Sequence, residues 1–356
     1  MPHLPKPDWA AVRSVCIALV LGLIGGAVFA WLRLPLPWML GAMTANMAAS
    51  LGGVKVDIPA AWRWPMLGIL GVLIGSSFTA EVAAGMLRWL GSLAILPVYI
   101  VVSLLAGLLF LRRFVKLEPV TAFFSAAPGG LSEMVFMGEA KGGDARTISL
   151  IHATRIFCVV FTVPFVVRLI EDVGVAAPQA SKALPTAWEL LLLGGCLVIG
   201  LWAGPRLRLP ASFMLGPLLI SAIAHATGLV HSAPPQILVV LAQLVIGTGL
   251  GCRFAGLAPW VVAQTMLLGG GVTAVLLVCT LIFAEIIHLV TGLPYIALVL
   301  ALAPGGIAEM GLVALAMGSD PLFVATHHVV RLGVVVLVAP VVFRVWSSLR
   351  RAKPHQ

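Results

Sequence analysis

The sequence predicts an all-α, polytopic helical membrane protein built from two inverted repeats of about five spans each, with a broken or re-entrant Pro-Gly-Gly segment in each repeat. Three observations predict it: an apolar composition cut into span-length stretches, a self-similarity running through the chain, and the distribution of Lys and Arg.

Composition comes first. Apolar residues make up 61% of the 356 and charged residues only 10%, against roughly 45–50% and about 25% in soluble domains. A mean hydropathy of +1.10 is too high even for a large soluble core, whose surface must still carry charge. The apolar stretches, among them Val15 to Trp31, Trp89 to Leu111, Ile148 to Val167 and Leu322 to Phe343, each suit a helix crossing about 30 Å of hydrocarbon. The run after Arg13 contains Gly25 and Gly26 and leads straight into further spans, so it is expected to be the first helix and not a cleaved leader. Cys16, Cys158, Cys196, Cys252 and Cys279 lie in or beside apolar spans, where they are expected to be structural thiols, outside any disulfide or zinc cluster. The net charge of +9 is spread over short loops with no basic stripe, which suits cytoplasmic loops beside a lipid bilayer and not a nucleic-acid surface.

Self-similarity is the second observation. Ala127-Pro128-Gly129-Gly130-Leu131-Ser132-Glu133-Met134 returns as Ala303-Pro304-Gly305-Gly306-Ile307-Ala308-Glu309-Met310, an offset of 176. The same offset carries Asp144 to Asp320, His152 to His328, Arg155 to Arg331, Pro164 to Pro340 and Arg168 to Arg344. Leu34-Pro35 and Met39-Leu40-Gly41 match Leu209-Pro210 and Met214-Leu215-Gly216 at 175, and Leu73-Ile74-Gly75-Ser76 matches Val245-Ile246-Gly247-Thr248 at 172. The expected boundaries are a first repeat over 1–177, a linker over 178–186 where Pro, Ser, Lys and Gln interrupt the apolar pattern, and a second repeat over 187–356.

The cations favour an odd number of crossings per half. With five spans and a re-entrant Ala-Pro-Gly-Gly segment, 16 Lys and Arg fall inside and 4 outside, with Arg155 and Arg331 left in the membrane to complete the 22. With six spans the split drops to 13 against 7. The positive-inside rule prefers the first arrangement, which inverts the halves and leaves both termini cytoplasmic.

The candidate site follows from the polar residues inside spans. Pro128, Gly129 and Gly130, and Pro304, Gly305 and Gly306, are expected to interrupt a helix and free backbone groups for binding. Glu133 and Glu309 come just after each interruption, at the start of a half-helix. His152 and Arg155 share a helix face, as do His328 and Arg331. An arginine in hydrocarbon needs protein, water or a counter-charge; Glu133 and Glu309 are the expected partners, with Asp144 and Asp320 nearer the boundary. These fourteen residues form the candidate substrate- or ion-binding set. A purely structural salt bridge and a non-titrating histidine stand beside that reading. Thr44, Asn46, Ser76, Ser77, Ser221, His225, Gln243 and Thr248 are candidates to line a solute path, but most are expected as helix-to-helix hydrogen bonds.

The doubled Ala-Pro-Gly-Gly-x-x-Glu-Met motif, each copy followed by Asp, His and Arg at matching distances, resembles the membrane AbrB family of Gram-negative bacteria over nearly the whole chain. Members of that family are commonly labelled ammonia monooxygenases or regulators of gene expression. An oxygenase needs convergent His or carboxylate ligands. The eight His are scattered, and the adjacent His327 and His328 point to different helix faces. No catalytic residue, metal or cofactor is expected, and the enzyme reading ranks third. No loop is long enough for a DNA-reading domain, so a regulator would act through a bound or transported metabolite. The expected function is a secondary transporter or exporter of a small solute, with proton or cation coupling, in the bacterial inner membrane. The alternative is a membrane sensor acting on a cytoplasmic partner through Arg112, Arg113, Lys116 or the basic tail; a homo-oligomer is compatible with either.

Overall fold

A computed structural model describes residues 9–171 and 185–351, so most of the linker expected at 178–186 lies outside the described residues. Among them the chain is helical and forms no strand. The first half carries α1 (Trp9–Trp31), α2 (Pro37–Leu51), α3 (Ala60–Gly75), α4 (Ala80–Gly85), α5 (Leu90–Phe110), α6 (Pro119–Ala126), α7 (Leu131–Glu139) and α8 (Ala145–Glu171). The second carries α9 (Ala187–Arg206), α10 (Ser212–Ala226), α11 (Gln236–Gly251), α12 (Pro259–Thr291), α13 (Tyr295–Leu302), α14 (Ile307–Ala316) and α15 (Pro321–Arg351).

Length sorts these helices. Seven stretches among the described residues are long and apolar enough to cross a membrane, and the four span-length stretches named from sequence all fall within them. Helices α2, α3 and α10 have 15, 16 and 15 residues. At 1.5 Å per residue they run about 22–24 Å, less than a full hydrocarbon layer.

The chain divides into two compact units, and each draws helices from both halves. The first unit holds α1–α3 with α9–α11. Helices α1 and α2 form a hairpin whose crossing point is Gly25 against Gly41, and α9 and α10 repeat it with Gly200 against Gly216. At each crossing an added Cβ would run into the partner's backbone. The turns repeat as well: Arg33 and Leu36 have φ of 53° and 45°, and Arg208 and Ala211 have 53° and 45°. Four non-glycine residues in the left-handed region mean both turns hold the same local strain.

Each hairpin packs its second helix on the third helix of the other half. Gly71 and Gly75 of α3 approach the Met214 and Leu218 carbonyls, while Gly247 and Gly251 of α11 approach those of Met39 and Met43. Contact therefore equates Gly71 with Gly247 and Gly75 with Gly251, an offset of 176. The sequence match at 172 is corrected by one helical turn. Its cause is the Gly-x-x-x-Gly spacing, which lets a register slip of four residues still align glycine with glycine.

The second unit holds α5–α7 and most of α8 with α13, α15 and most of α12 and α14. Helices α5 and α12, equivalent in the repeat, pack directly: Gly107 meets Val272, Phe110 meets Gly271, Tyr99 bonds Thr280 and Gly91 faces Thr291. Partner numbers fall along one helix as they rise along the other, so the two run antiparallel. Gly271 makes room for the Phe110 ring and Gly107 for the Val272 side chain.

Candidate functional site

The second unit contains both Pro-Gly-Gly segments, and each interrupts a helix. Helix α6 ends at Ala126, the chain bends through Ala127–Gly129 to an extended Gly130, and α7 begins at Leu131. The same sequence of events separates α13 from α14. Pro128 and Pro304 cannot donate a backbone hydrogen bond, which ends the first helix. The short helices α6, α7, α13 and α14 have 8, 9, 8 and 10 residues, at most about 15 Å each.

Side-chain packing accounts for the remaining letters of the motif. An added Cβ at Gly129 would meet the Met134 sulfur at 3.0 Å, and one at Gly305 would meet the Met310 sulfur at 3.1 Å. Both methionines are fully buried. An added Cβ at Gly130 or Gly306 would run into the carboxylate of Glu133 or Glu309, which folds back over the helix start. Each carboxylate thus sits at the positive end of its helix dipole. The environments differ, for Glu309 is 7% exposed whereas Glu133 is classed as exposed.

The arginines do not pair with these carboxylates as expected. Arg155 donates to the Ala127 carbonyl at 2.8 Å and the Gly129 carbonyl at 2.9 Å. Arg331 donates to Ala303 at 2.6 Å, Gly305 at 2.9 Å and Leu302 at 3.1 Å. The physical reason is that a helix ending at a Pro-Gly-Gly break leaves carbonyls without intrahelical donors at the negative end of its dipole. A guanidinium satisfies several such carbonyls at once through charge-assisted bonds. The counter-charge is a set of backbone dipoles.

One turn earlier on the same helix face, His152 Nε2 meets the Phe124 carbonyl at 2.8 Å and His328 Nε2 meets the Leu300 carbonyl at 3.0 Å. His328 Nδ1 accepts from Arg331 at 3.0 Å, which puts the ring proton on Nε2. His-x-x-Arg is therefore a stitch that holds the last turn of a half-helix and the backbone leaving it. The stitches are not identical: His152 Nδ1 is buried without a partner, as are the Ser125 and Thr154 hydroxyls, where the second half has Ala301 and Val330.

Sequence reasoning missed Tyr99. Its hydroxyl donates to the Leu302 carbonyl at 2.8 Å and lies 3.0 Å from the Thr280 hydroxyl, adding a third support to the second break. It also lies within electrostatic reach of Arg155 and Arg331. The available signal was its rarity, since the chain has only two tyrosines and a phenol inside an apolar span needs a partner. His327 was rightly separated from His328: its Nε2 lies 2.8 Å from the buried Ser92 hydroxyl.

Asp144 and Asp320 cap helices. Asp144 accepts from the Arg146 N–H and the Thr147 hydroxyl at the start of α8, and Asp320 accepts from the Leu322 and Phe323 N–H groups at the start of α15. The Thr147 hydroxyl, followed by burial acting the other way and by backbone N–H donors, leaves the Asp144 carboxyl below its usual range. Asp144 N–H also donates to the Thr121 hydroxyl at 2.9 Å, which ties the end of the α7 turn to the start of α6. Gly143 lies against Val120 and Gly138 against Phe124. Helices α6 and α7 therefore form a hairpin whose outer ends meet. Among the described residues no group of three His, Cys, Asp or Glu is placed to hold a metal.

The polar residues expected between helices divide: Thr44 and Ser76 bond carbonyls of their own helix, Leu40 and Leu73, Gln243 Oε1 and the Thr248 hydroxyl are buried without a partner, and two cross between helices. Asn46 donates to the Ala18 carbonyl at 3.0 Å and Ser221 to the Val72 carbonyl at 2.9 Å.

Comparison with known proteins identifies the family. A family model described as "Transition state regulatory protein AbrB" matches residues 38–347. A Bacillus subtilis (strain 168) protein, "Uncharacterized protein YhjN", is 28% identical over 92% of both chains. An Escherichia coli (strain K12) protein, "Putative regulator AbrB", is 26% identical over 97% of this chain and 98% of its own. Matched over most of its length and bearing the doubled motif, the chain belongs to the AbrB family.

Proposed function

We propose that the protein is a secondary transporter or exporter of a small solute in the bacterial inner membrane, coupled to protons or cations, with both termini cytoplasmic. The observation that supports this best is the pair of stitched helix breaks within one compact unit. Broken helices from two inverted repeats are a recurrent way to build a solute site near the bilayer midplane. Antiparallel packing of α5 on α12 supports inversion, and the α6–α7 hairpin, with its outer ends meeting through Asp144 and Thr121, supports re-entrance.

In this reading each residue class has its own task. Arg155, Arg331, His152 and His328 hold the breaks open as binding surface. Glu133 and Glu309, not held by the arginines, exchange a proton or bind a cation. Backbone groups around Pro128, Gly129, Gly130, Pro304, Gly305 and Gly306 contact the solute, and Asp144 and Asp320 fix the helices that carry the stitches. A second reading, a membrane sensor that regulates gene expression through a bound metabolite, draws on the name of the Escherichia coli relative.

Uptake and efflux profiling tests the proposal in a deletion strain carrying wild type, Glu133→Gln or Glu309→Gln. The expected result is at least one metabolite flux that depends on wild type and is lost in a variant present at normal abundance. Unchanged fluxes alongside altered gene expression would move the function to sensing.

A further inference from the structure

In the first unit, a cleft of about 360 Å³ opens beside the N-terminal end of α1, lined by Ala10, Arg13, Ser14, Ile17, Val54 and Lys55. That volume lies within the range of small-ligand sites. The cleft is held by a bond from the Ser14 hydroxyl to the Lys55 carbonyl at 3.2 Å, which fixes the chain between α2 and α3 against α1. Arg13 and Lys55 are both exposed, and among the described residues no ion pair holds either one. Two cations thus share one small cleft with an apolar floor.

The surroundings place this cleft at a lipid headgroup level. Trp9, 74% exposed, stands one turn before Arg13, and Trp62 and Trp64 are exposed at the start of α3; tryptophans collect at membrane interfaces. Arg13, Ile17, Val20 and Ile24 follow one another along a single face of α1, and Val20 and Ile24 are 53% and 56% exposed. A cationic cleft continuous with an exposed apolar stripe matches one kind of molecule, with a phosphate at one end and an acyl chain running down from it.

We propose that this cleft binds an anionic phospholipid, its headgroup phosphate between Arg13 and Lys55 and an acyl chain along Ile17, Val20 and Ile24. Lysine and arginine beside a membrane attract anionic lipid. The site is independent of the helix breaks and of whether the protein transports or senses.

The test uses the full chain purified in neutral detergent, with phosphatidylglycerol and phosphatidylcholine titrated as separate probes and bound lipid counted by native mass spectrometry. Wild type is expected to prefer phosphatidylglycerol by about tenfold. Arg13→Gln with Lys55→Gln should abolish that preference, as should Ala10→Asp, which leaves both cations in place. Arg13→Lys with Lys55→Arg should retain it. Retention of the wild-type preference by the double Gln variant overturns the proposal. So does an equal loss on Arg113→Gln with Lys141→Gln, which would trace the preference to overall charge. Inorganic phosphate stabilising the protein as well as phosphatidylglycerol does would assign the cleft to a free anion, and overturns the lipid assignment.

Discussion

Arg331 reaches back 28 residues to the Ala303 carbonyl at 2.6 Å, and Arg155 makes the same bond to Ala127 across the same interval. The correspondence ties a sequence repeat to a hydrogen bond: a half-helix ends, and an arginine from the following helix takes over the donors the helix has lost. Bonds to charged groups contribute about 1.5–3 kcal/mol each, so the stitch is worth more than an ordinary loop contact.

Unequal arginines follow from this. Arg331 uses its terminal nitrogens on three carbonyls and on His328, whereas Arg155 holds two carbonyls. Arg331→Met is expected to destabilise the protein by about 3–5 kcal/mol and Arg155→Met by about 2–4 kcal/mol. Thermal unfolding in detergent measures both, and a larger loss at Arg155 would contradict the assigned bonds. Lysine at position 331 should recover only part of the loss, because a point donor cannot span three carbonyls.

The hairpin glycines make a second prediction. Gly25 and Gly41, and their counterparts Gly200 and Gly216, meet backbone to backbone. Alanine at any one of them forces the hairpin apart, at a cost of about 1–3 kcal/mol, typical of overpacking. Gly194 and Gly195 have open space where a Cβ would point; alanine there should be neutral or slightly stabilising through helix propensity. Matched melting curves of Gly200→Ala and Gly195→Ala decide it, and equal effects would reject the packing.

Much of this was legible in the sequence because each half had to solve the same problem. Two copies of Ala-Pro-Gly-Gly-x-x-Glu-Met, each followed by His and Arg, mark the same break twice, and polar residues that recur inside apolar runs mark a shared structural need. What was not legible was the partner. Backbone carbonyls carry no letter in the sequence, so Arg155 and Arg331 invited pairing with Glu133 and Glu309, the nearest written charges. Helix periodicity hid the α3 register in the same way, since a slip of one turn still sets Gly75 on Gly247, although it puts Gly71 opposite Gln243. The grouping of α1–α3 with α9–α11 depends on contacts between halves, which no local pattern records.

Acid sensitivity follows from Glu118 and Asp144, which cap α6 and α8 outside the candidate spans. Burial pushes the Glu118 carboxyl up, but N–H donors from Thr121 and Val120 outweigh it and leave it below its usual value; Asp144 is lowered chiefly by the Thr147 hydroxyl. Groups depressed in the folded state contribute stability above the unfolded carboxylate pKa, near 4, and lose it as pH falls through the folded values. Melting temperature should therefore fall below about pH 4–5, and Asp144→Asn should flatten that decline while lowering stability at neutral pH. An unchanged acid slope in the variant would show that the cap does not titrate as described.

Sidedness is the sharpest test of the inverted arrangement. The bond from Asp144 N–H to the Thr121 hydroxyl brings the beginning of α6 and the turn after α7 to one end of the hairpin, so single cysteines at Arg113 and Lys141, both exposed, should label from the same face of the membrane. In the proposed inverted arrangement, which the antiparallel packing of α5 on α12 supports, the corresponding ends of α13 and α14 lie at the other face, where cysteines at Pro294 and Ser319 should label together. Impermeant thiol reagents applied to intact cells and to inverted vesicles, in a background lacking the five native cysteines, read both pairs. Should Arg113 and Lys141 label from opposite faces, the first hairpin crosses the bilayer and the re-entrant site is lost. Should all four positions label from one face, the halves are parallel, and alternating exposure of a shared central site has no structural basis.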